Sequence, residues 1–260
     1  MTRPRRSDLP SPQVREFRKL LNDALNAEDE NGRVIGSAKF GVYAFYDYDG
    51  EPIYVGQTNE QLRVRVRRHL TNQRTDAVAM RVLDIFEVAE LEMWPLWELA
   101  EQTDKDAVRK RLDEVEYTAY VQAIEASRFR AILNEKIPPV SAFVGLPPSY
   151  KFSLVGSVAL DEREHPDVRI ARRAETISRL AAVTRERGEV SDGLRRVLVV
   201  QAIRLAFLAA SRYADSRGDP EPSPSAIDAK ALIGEMLVES DDEVTEEEVE
   251  ESELEEDSSS

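Results

Sequence analysis

The chain has 260 residues, no cysteine and only two histidines. That composition excludes disulfides, a cysteine nucleophile and a thiolate zinc site, and it argues against a multi-histidine metal centre. The formal net charge of −15 argues against a polyanionic ligand only until its distribution is read: residues 239–260 hold thirteen Asp or Glu and no Lys or Arg, which leaves 35 basic against 37 acidic residues before them.

A hydrophobic fraction of 42% is ordinary for a soluble globular protein, and no run of about eighteen apolar residues marks a membrane as partner. Residues 1–12 are polar and prolyl, without the apolar stretch of a secretion signal, so a cytoplasmic protein is expected. Within the near-neutral body, 61–74 carries five arginines and no carboxylate. Such a patch attracts phosphate in a salt-sensitive way.

In chain order, the pattern predicts a helix over 13–27, where Val14, Phe17, Leu20, Leu21, Ala24 and Leu25 follow the helical period. After an Asn31-Gly32 turn, two β-like runs at 40–47 and 52–57 flank Asp49-Gly50 and predict a hairpin. A helix follows at 60–72, with Leu62, Val66 and Leu70 on one face and Arg65 and His69 on a neighbouring stripe. A third strand is expected across 86–97, with Val88, Trp94 and Trp97 covering the sheet. The next helix, at 105–131, is cut off by Ile137-Pro138-Pro139.

The stretch 138–166 is rich in Pro, Gly and Ser, with one candidate strand at 151–160. Helices are then predicted over 167–187, over 192–215 with Ser191 or Asp192 as cap, and, in short form, within 225–238. The segment VLVVQAIRLAFLAA is apolar nearly all round, which demands burial on more than one side. The acidic end is expected to be disordered, because like charges repel and little can be buried.

The most informative residues are Gly41-Val42-Tyr43, Tyr54-Val55-Gly56, then Leu62-x-x-Arg65-x-x-x-His69, with Asn134 downstream. In this order they resemble the GIY-YIG endonuclease superfamily over about 38–140, while 160–260 carries no comparable signal. The resemblance implies an α+β fold: a GIY-YIG domain with a three-stranded antiparallel sheet flanked by helices, here followed by an all-α C-terminal region and the disordered acidic tail. The organisation expected is a helical lead at 1–37, the nuclease domain at 38–145, a linker at 146–166, a helical domain at 167–238 and the tail at 239–260. The resemblance also implies hydrolysis of DNA phosphodiesters with one divalent metal, Mg2+ or Mn2+.

Such hydrolysis needs an activated water, a neutralised phosphate and help for the leaving oxygen. The resemblance makes Tyr43 the general base, or a relay orienting the attacking water, with Tyr54 beside it holding phosphate or water. Arg65 becomes the phosphate clamp, since its planar fork can give two hydrogen bonds to one phosphoryl group. His69 is expected to bond the phosphate or share in proton transfer. Gly56 lets the backbone pass close to the site, and Gln57 stands where some relatives carry Lys. Arg63, Arg67 and Arg68 add positive charge for the substrate, and Asn134 braces a loop.

Relatives place the metal ligand, one helix-borne Glu, about a dozen residues before that Asn. Here the count lands on Gln122, a poor sole ligand for a hard cation. Glu116 is the first choice, with Glu125 and Glu114 left open.

Taken singly, each tyrosine is an ordinary strand aromatic and the arginines a solvated helix face. Joint order and spacing favour the nuclease reading: a metal-dependent DNA endonuclease, restriction-type, dimerising through its helical region. A repair or mobile-element nuclease and a non-catalytic nucleic-acid-binding module are the alternatives.

Overall fold

The computed structural model describes residues 10–71, 82, 84–156 and 160–237. The acidic tail, and with it the expectation of disorder, lies outside the described residues.

The predicted hairpin forms from β1 (Gly41–Tyr46) and β2 (Pro52–Thr58), paired antiparallel with Tyr43 opposite Gly56 and Phe45 opposite Tyr54. Its turn is built by Asp47, whose Oδ1 accepts the backbone N–H groups of Asp49 at 2.9 Å and Glu51 at 3.1 Å. Gly50 supplies the left-handed backbone that this turn needs, at φ 69°.

The antiparallel sheet has four strands rather than the three expected, in the order β2-β1-β3-β4. The third strand, expected across 86–97, is β3 (Glu90–Pro95), and it pairs with β1. The added strand, β4 (Tyr150–Ser153), comes from the stretch assigned to a linker and pairs Leu91 with Phe152. Its half-buried Tyr150 and Phe152 alternate with polar Lys151 and Ser153, the signature of a strand with one wet face.

Helices flank this sheet: α1 (Pro12–Leu25), α2 (Leu62–Leu70) and α3 (Lys105–Ala126). Asp104 caps α3, accepting from the N–H groups of Asp106 and Ala107. The helix ends five residues short of the predicted 131, where Ser127 turns the chain and Arg130 adopts a left-handed φ of 54°. That bend delivers Leu133 and Asn134 to the outer edge of β2. There Leu133 N–H donates to Ile53 O at 2.7 Å, while the Asn134 amide takes both Val55 N–H (3.1 Å) and Val55 O (2.7 Å). An edge strand otherwise exposes these groups.

The remaining helices are α4 (Leu160–Glu164), α5 (Pro166–Arg187), α6 (Asp192–Arg217) and α7 (Ala229–Ile233). His165 caps α5 through Nδ1, and Ser191 caps α6. Residues of α5 and α6 such as Leu180, Val197 and Phe207 belong to one hydrophobic core with Phe45, Leu62 and Tyr120. By length and hydropathy α6 could cross a membrane, yet it carries Gln201 and Arg204, both buried, against the β1–β2 hairpin and its surroundings. The burial on more than one side expected of α6 takes in Val197, Val200 and Ile203, while Ala202, Ala206 and Ala209 stay exposed.

Between the helices and the hairpin lies a buried ionic cluster. Asp47 Oδ2 receives Arg204 at 2.7 Å, Arg173 at 3.0 Å and Arg169 at 3.4 Å. Glu87 receives Arg172 at 2.6 Å and Arg173 at 2.9 Å. Charges taken out of water survive only with such pairing. The hairpin turn is thus held by three arginines that lie more than 120 residues further along the chain.

Candidate functional site

The hairpin register places Tyr43 and Tyr54 as diagonal neighbours on one face, where their ring centroids lie 6.1 Å apart. From α2 the His69 ring packs against both, 5.8 Å from Tyr43 and 5.3 Å from Tyr54. Arg65, one turn earlier on the same helix, acts on both phenols. Glu116 reaches the cluster from α3 and is felt by both Tyr43 and Arg65.

Both phenolic oxygens converge over Gly56. A Cβ built there would sit 2.9 Å from the Tyr43 oxygen and 3.0 Å from that of Tyr54. Gly56 is therefore glycine because the tyrosines occupy its side-chain space. Gly41 has a different reason: its Cβ would meet Leu62 of α2 at 2.9 Å. Gly56→Ala is expected to push the phenols apart, costing about 1–3 kcal/mol of stability. Chemical denaturation measures that cost, and an unchanged midpoint would refute the close packing.

Electrostatics set the resting states. Burial pushes the Tyr43 phenol well above its ordinary pKa, Tyr54 adds to this, and Arg65 opposes it. Burial also works against the Arg65 charge, but the two phenols outweigh it and the guanidinium lies above its usual value. Glu116 is pushed up to about 8, first by burial and then by Asp113, with the Gln57 backbone N–H and Arg65 pulling the other way. Gln57 follows Val55 in the same outward-facing row of β2, so Glu116 extends the edge cover begun by Leu133 and Asn134.

The five residues expected to carry chemistry (Tyr43, Tyr54, Arg65, His69 and Glu116) are thus brought together, with Gly56 beneath them. Of the alternative glutamates, Glu125 is exposed and Glu114 lies 4.0 Å from Arg111. Asn134 sits behind β2 as a brace on Val55 rather than on a loop.

Other expected substrate contacts are engaged within the protein. Gln57 Nε2 donates to Asp113 Oδ1 at 2.9 Å. Arg63 donates to Gly36 O, Arg67 to Asn22, and Arg68 to Glu60. Asp113 was not anticipated from the sequence. Its signal was available, since it lies three residues before Glu116 and so shares its helix face.

Among the described residues, no group of three or more His, Asp or Glu is placed to hold a metal ion. The site offers one buried carboxylate, and that fits a small hard cation which takes one or two carboxylates and completes its shell with water and substrate phosphate. The orphaned, buried Tyr43 hydroxyl beside it supports the same fit.

Residues 39–117 match the family model of the GIY-YIG catalytic domain. The chain carries a GIY-YIG domain. The match spans the hairpin, α2, β3 and α3 as far as Tyr117, and the domain it describes is of nuclease type. No curated protein and no solved structure matches the chain.

Proposed function

We propose that the chain is a divalent-metal-dependent endonuclease acting on DNA. The observation that carries this reading is the convergence of Tyr43, Tyr54, Arg65, His69 and Glu116 over Gly56. Arg65 clamps the scissile phosphate through its fork and neutralises it. Tyr43 orients the attacking water; burial holds its phenol protonated at rest, so it takes the water's proton only after giving its own to solvent, a loss that the cation of Arg65 favours. Tyr54 and His69 hold phosphate oxygens, with His69 able to share a proton near neutral pH. A divalent ion held by Glu116, Mg2+ or Mn2+, would supply charge for the phosphate and leaving oxygen.

Arg65→Ala is expected to lower the cleavage rate about 10²–10³-fold, the usual cost of removing one charge-stabilising donor. Single-turnover kinetics on a labelled duplex measure it, and a loss below about threefold would remove the clamp from the reading. A restriction-type role, with two copies cutting the two strands, is the setting we assign; discrete fragments from a long duplex and a dimer by light scattering are expected.

One observation favours a second reading. A Glu116 that stays protonated near neutral pH suits a module that binds nucleic acid without cutting. Binding with no magnesium-dependent cleavage would select it.

A further inference from the structure

Against the flank of the site runs an open groove of about 450 Å³. One wall is the amino-terminal half of α3, with Arg109, Lys110 and Asp113, and the other is the chain at 140–142. Its inner end is continuous with the site, because Asp113 accepts the Gln57 side chain one residue beyond Gly56. Helical spacing puts Arg109, Asp113 and Glu116 on one stripe. At 1.5 Å per residue, Arg109 lies about 10 Å along the helix from Glu116. That is about three steps of a stacked nucleic-acid strand at ~3.4 Å each.

The two cations of this groove differ from those of α2. Among the described residues neither Arg109 nor Lys110 makes a hydrogen bond or ion pair, whereas Arg63, Arg67 and Arg68 all do. Three carboxylates, Asp106, Asp113 and Glu114, also border the groove. Asp113 holds Gln57, Glu114 faces Arg111, and Asp106 sits in the first turn of α3, where the helix dipole favours a negative charge.

Val140 in the outer wall and Phe143 just beyond it in the chain are 65% and 67% exposed, although both are large and apolar. Phe143 is backed by Tyr117, whose ring centroid is 5.5 Å away. An exposed ring with a second ring behind it, beside two cations that make no ion pair, is the combination that binds a nucleic-acid strand by stacking and charge.

We propose that this groove is a nucleic-acid subsite, in which Arg109 and Lys110 take a backbone phosphate about three nucleotides from the scissile one and Phe143 takes the face of a base. The distance to the scissile phosphate rests on the nuclease reading above; binding in the groove does not.

The test is fluorescence anisotropy in EDTA with labelled oligonucleotides, duplex and single-stranded. The proteins are wild type, the double variant Arg109→Ala/Lys110→Ala, Phe143→Ala, and Arg187→Ala as a remote exposed control. The double variant is expected to bind about tenfold more weakly and to flatten the dependence of log affinity on log salt by about 1–2. Phe143→Ala should weaken binding about tenfold with the salt slope unchanged. Thermal midpoints equal to wild type confirm that the fold is kept, since all three side chains sit at the surface. Affinities and slopes matching wild type and Arg187→Ala would overturn the subsite, even if wild type cuts DNA. The expected signature in a protein that never cuts with magnesium would leave the subsite standing and sink the nuclease reading instead.

Discussion

Glu116→Gln is expected to abolish the proposed magnesium-dependent cleavage and, at pH 8, to make the metal-free protein more stable than wild type. Both results follow from one buried carboxyl whose pKa is pushed up to about 8, against an ordinary value of 4.5. The folded state then keeps a proton that the unfolded chain loses above about pH 4.5. The contribution of Glu116 is fully present below that pH and is lost as pH climbs towards 8. A tenfold change in acidity corresponds to about 1.36 kcal/mol, so the loss amounts to a few kcal/mol.

Glutamine is neutral throughout and escapes this loss. Urea unfolding in EDTA should give matching stabilities for the two proteins at pH 5 and a more stable variant at pH 8. Wild type as stable as the variant at pH 8 would contradict the burial argument. Magnesium should stabilise wild type alone, and more strongly as pH rises, because cation and proton compete for the same oxygens.

Asp47→Ala is expected to destabilise the protein by about 3–5 kcal/mol, the usual cost of leaving buried charges without their partner. Arg169, Arg173 and Arg204 all converge on its Oδ2, and the same side chain closes the hairpin turn through Oδ1. Against a total stability of about 5–15 kcal/mol, this is a large fraction. Urea unfolding measures it, with Asp47→Asn as the milder variant, since an amide keeps an acceptor for the turn. A loss under about 1 kcal/mol for the alanine variant would show that the arginines find other partners. Because the turn joins the two strands that carry Tyr43 and Tyr54, cleavage should fall along with stability.

The hairpin, α2 and α3 were legible in the sequence because their signals are local: a turn dipeptide between aromatic runs, and apolar residues at helical spacing. The same locality let the order of Tyr43, Tyr54, Arg65 and His69 stand for a site, since a strand period and a helix period fix their relative directions. Glu116 was harder, because its place depends on how far α3 runs alongside β2, and Glu114 and Glu125 satisfy the helical pattern equally well.

The features that escaped are long-range. For β4 a candidate strand at 151–160 was legible, but its start at Tyr150, its four-residue length and its place as a fourth strand beside β3 were not. The grip of Arg169, Arg173 and Arg204 on Asp47 has no local signature at all. No spacing within α5 or α6 pairs those arginines with Asp47, and only the packed structure shows them buried. The Gln57–Asp113 hydrogen bond was missed as well, although Gln57 was singled out and Asp113 shares the helix face of Glu116.

The nuclease reading stands or falls on cleavage of labelled duplex and single-stranded DNA by wild type, Arg65→Ala and Glu116→Gln, each with magnesium or EDTA. Products are expected from wild type with magnesium only. Cleavage that survives EDTA or either substitution, or wild-type binding with no cleavage on any substrate, would contradict it.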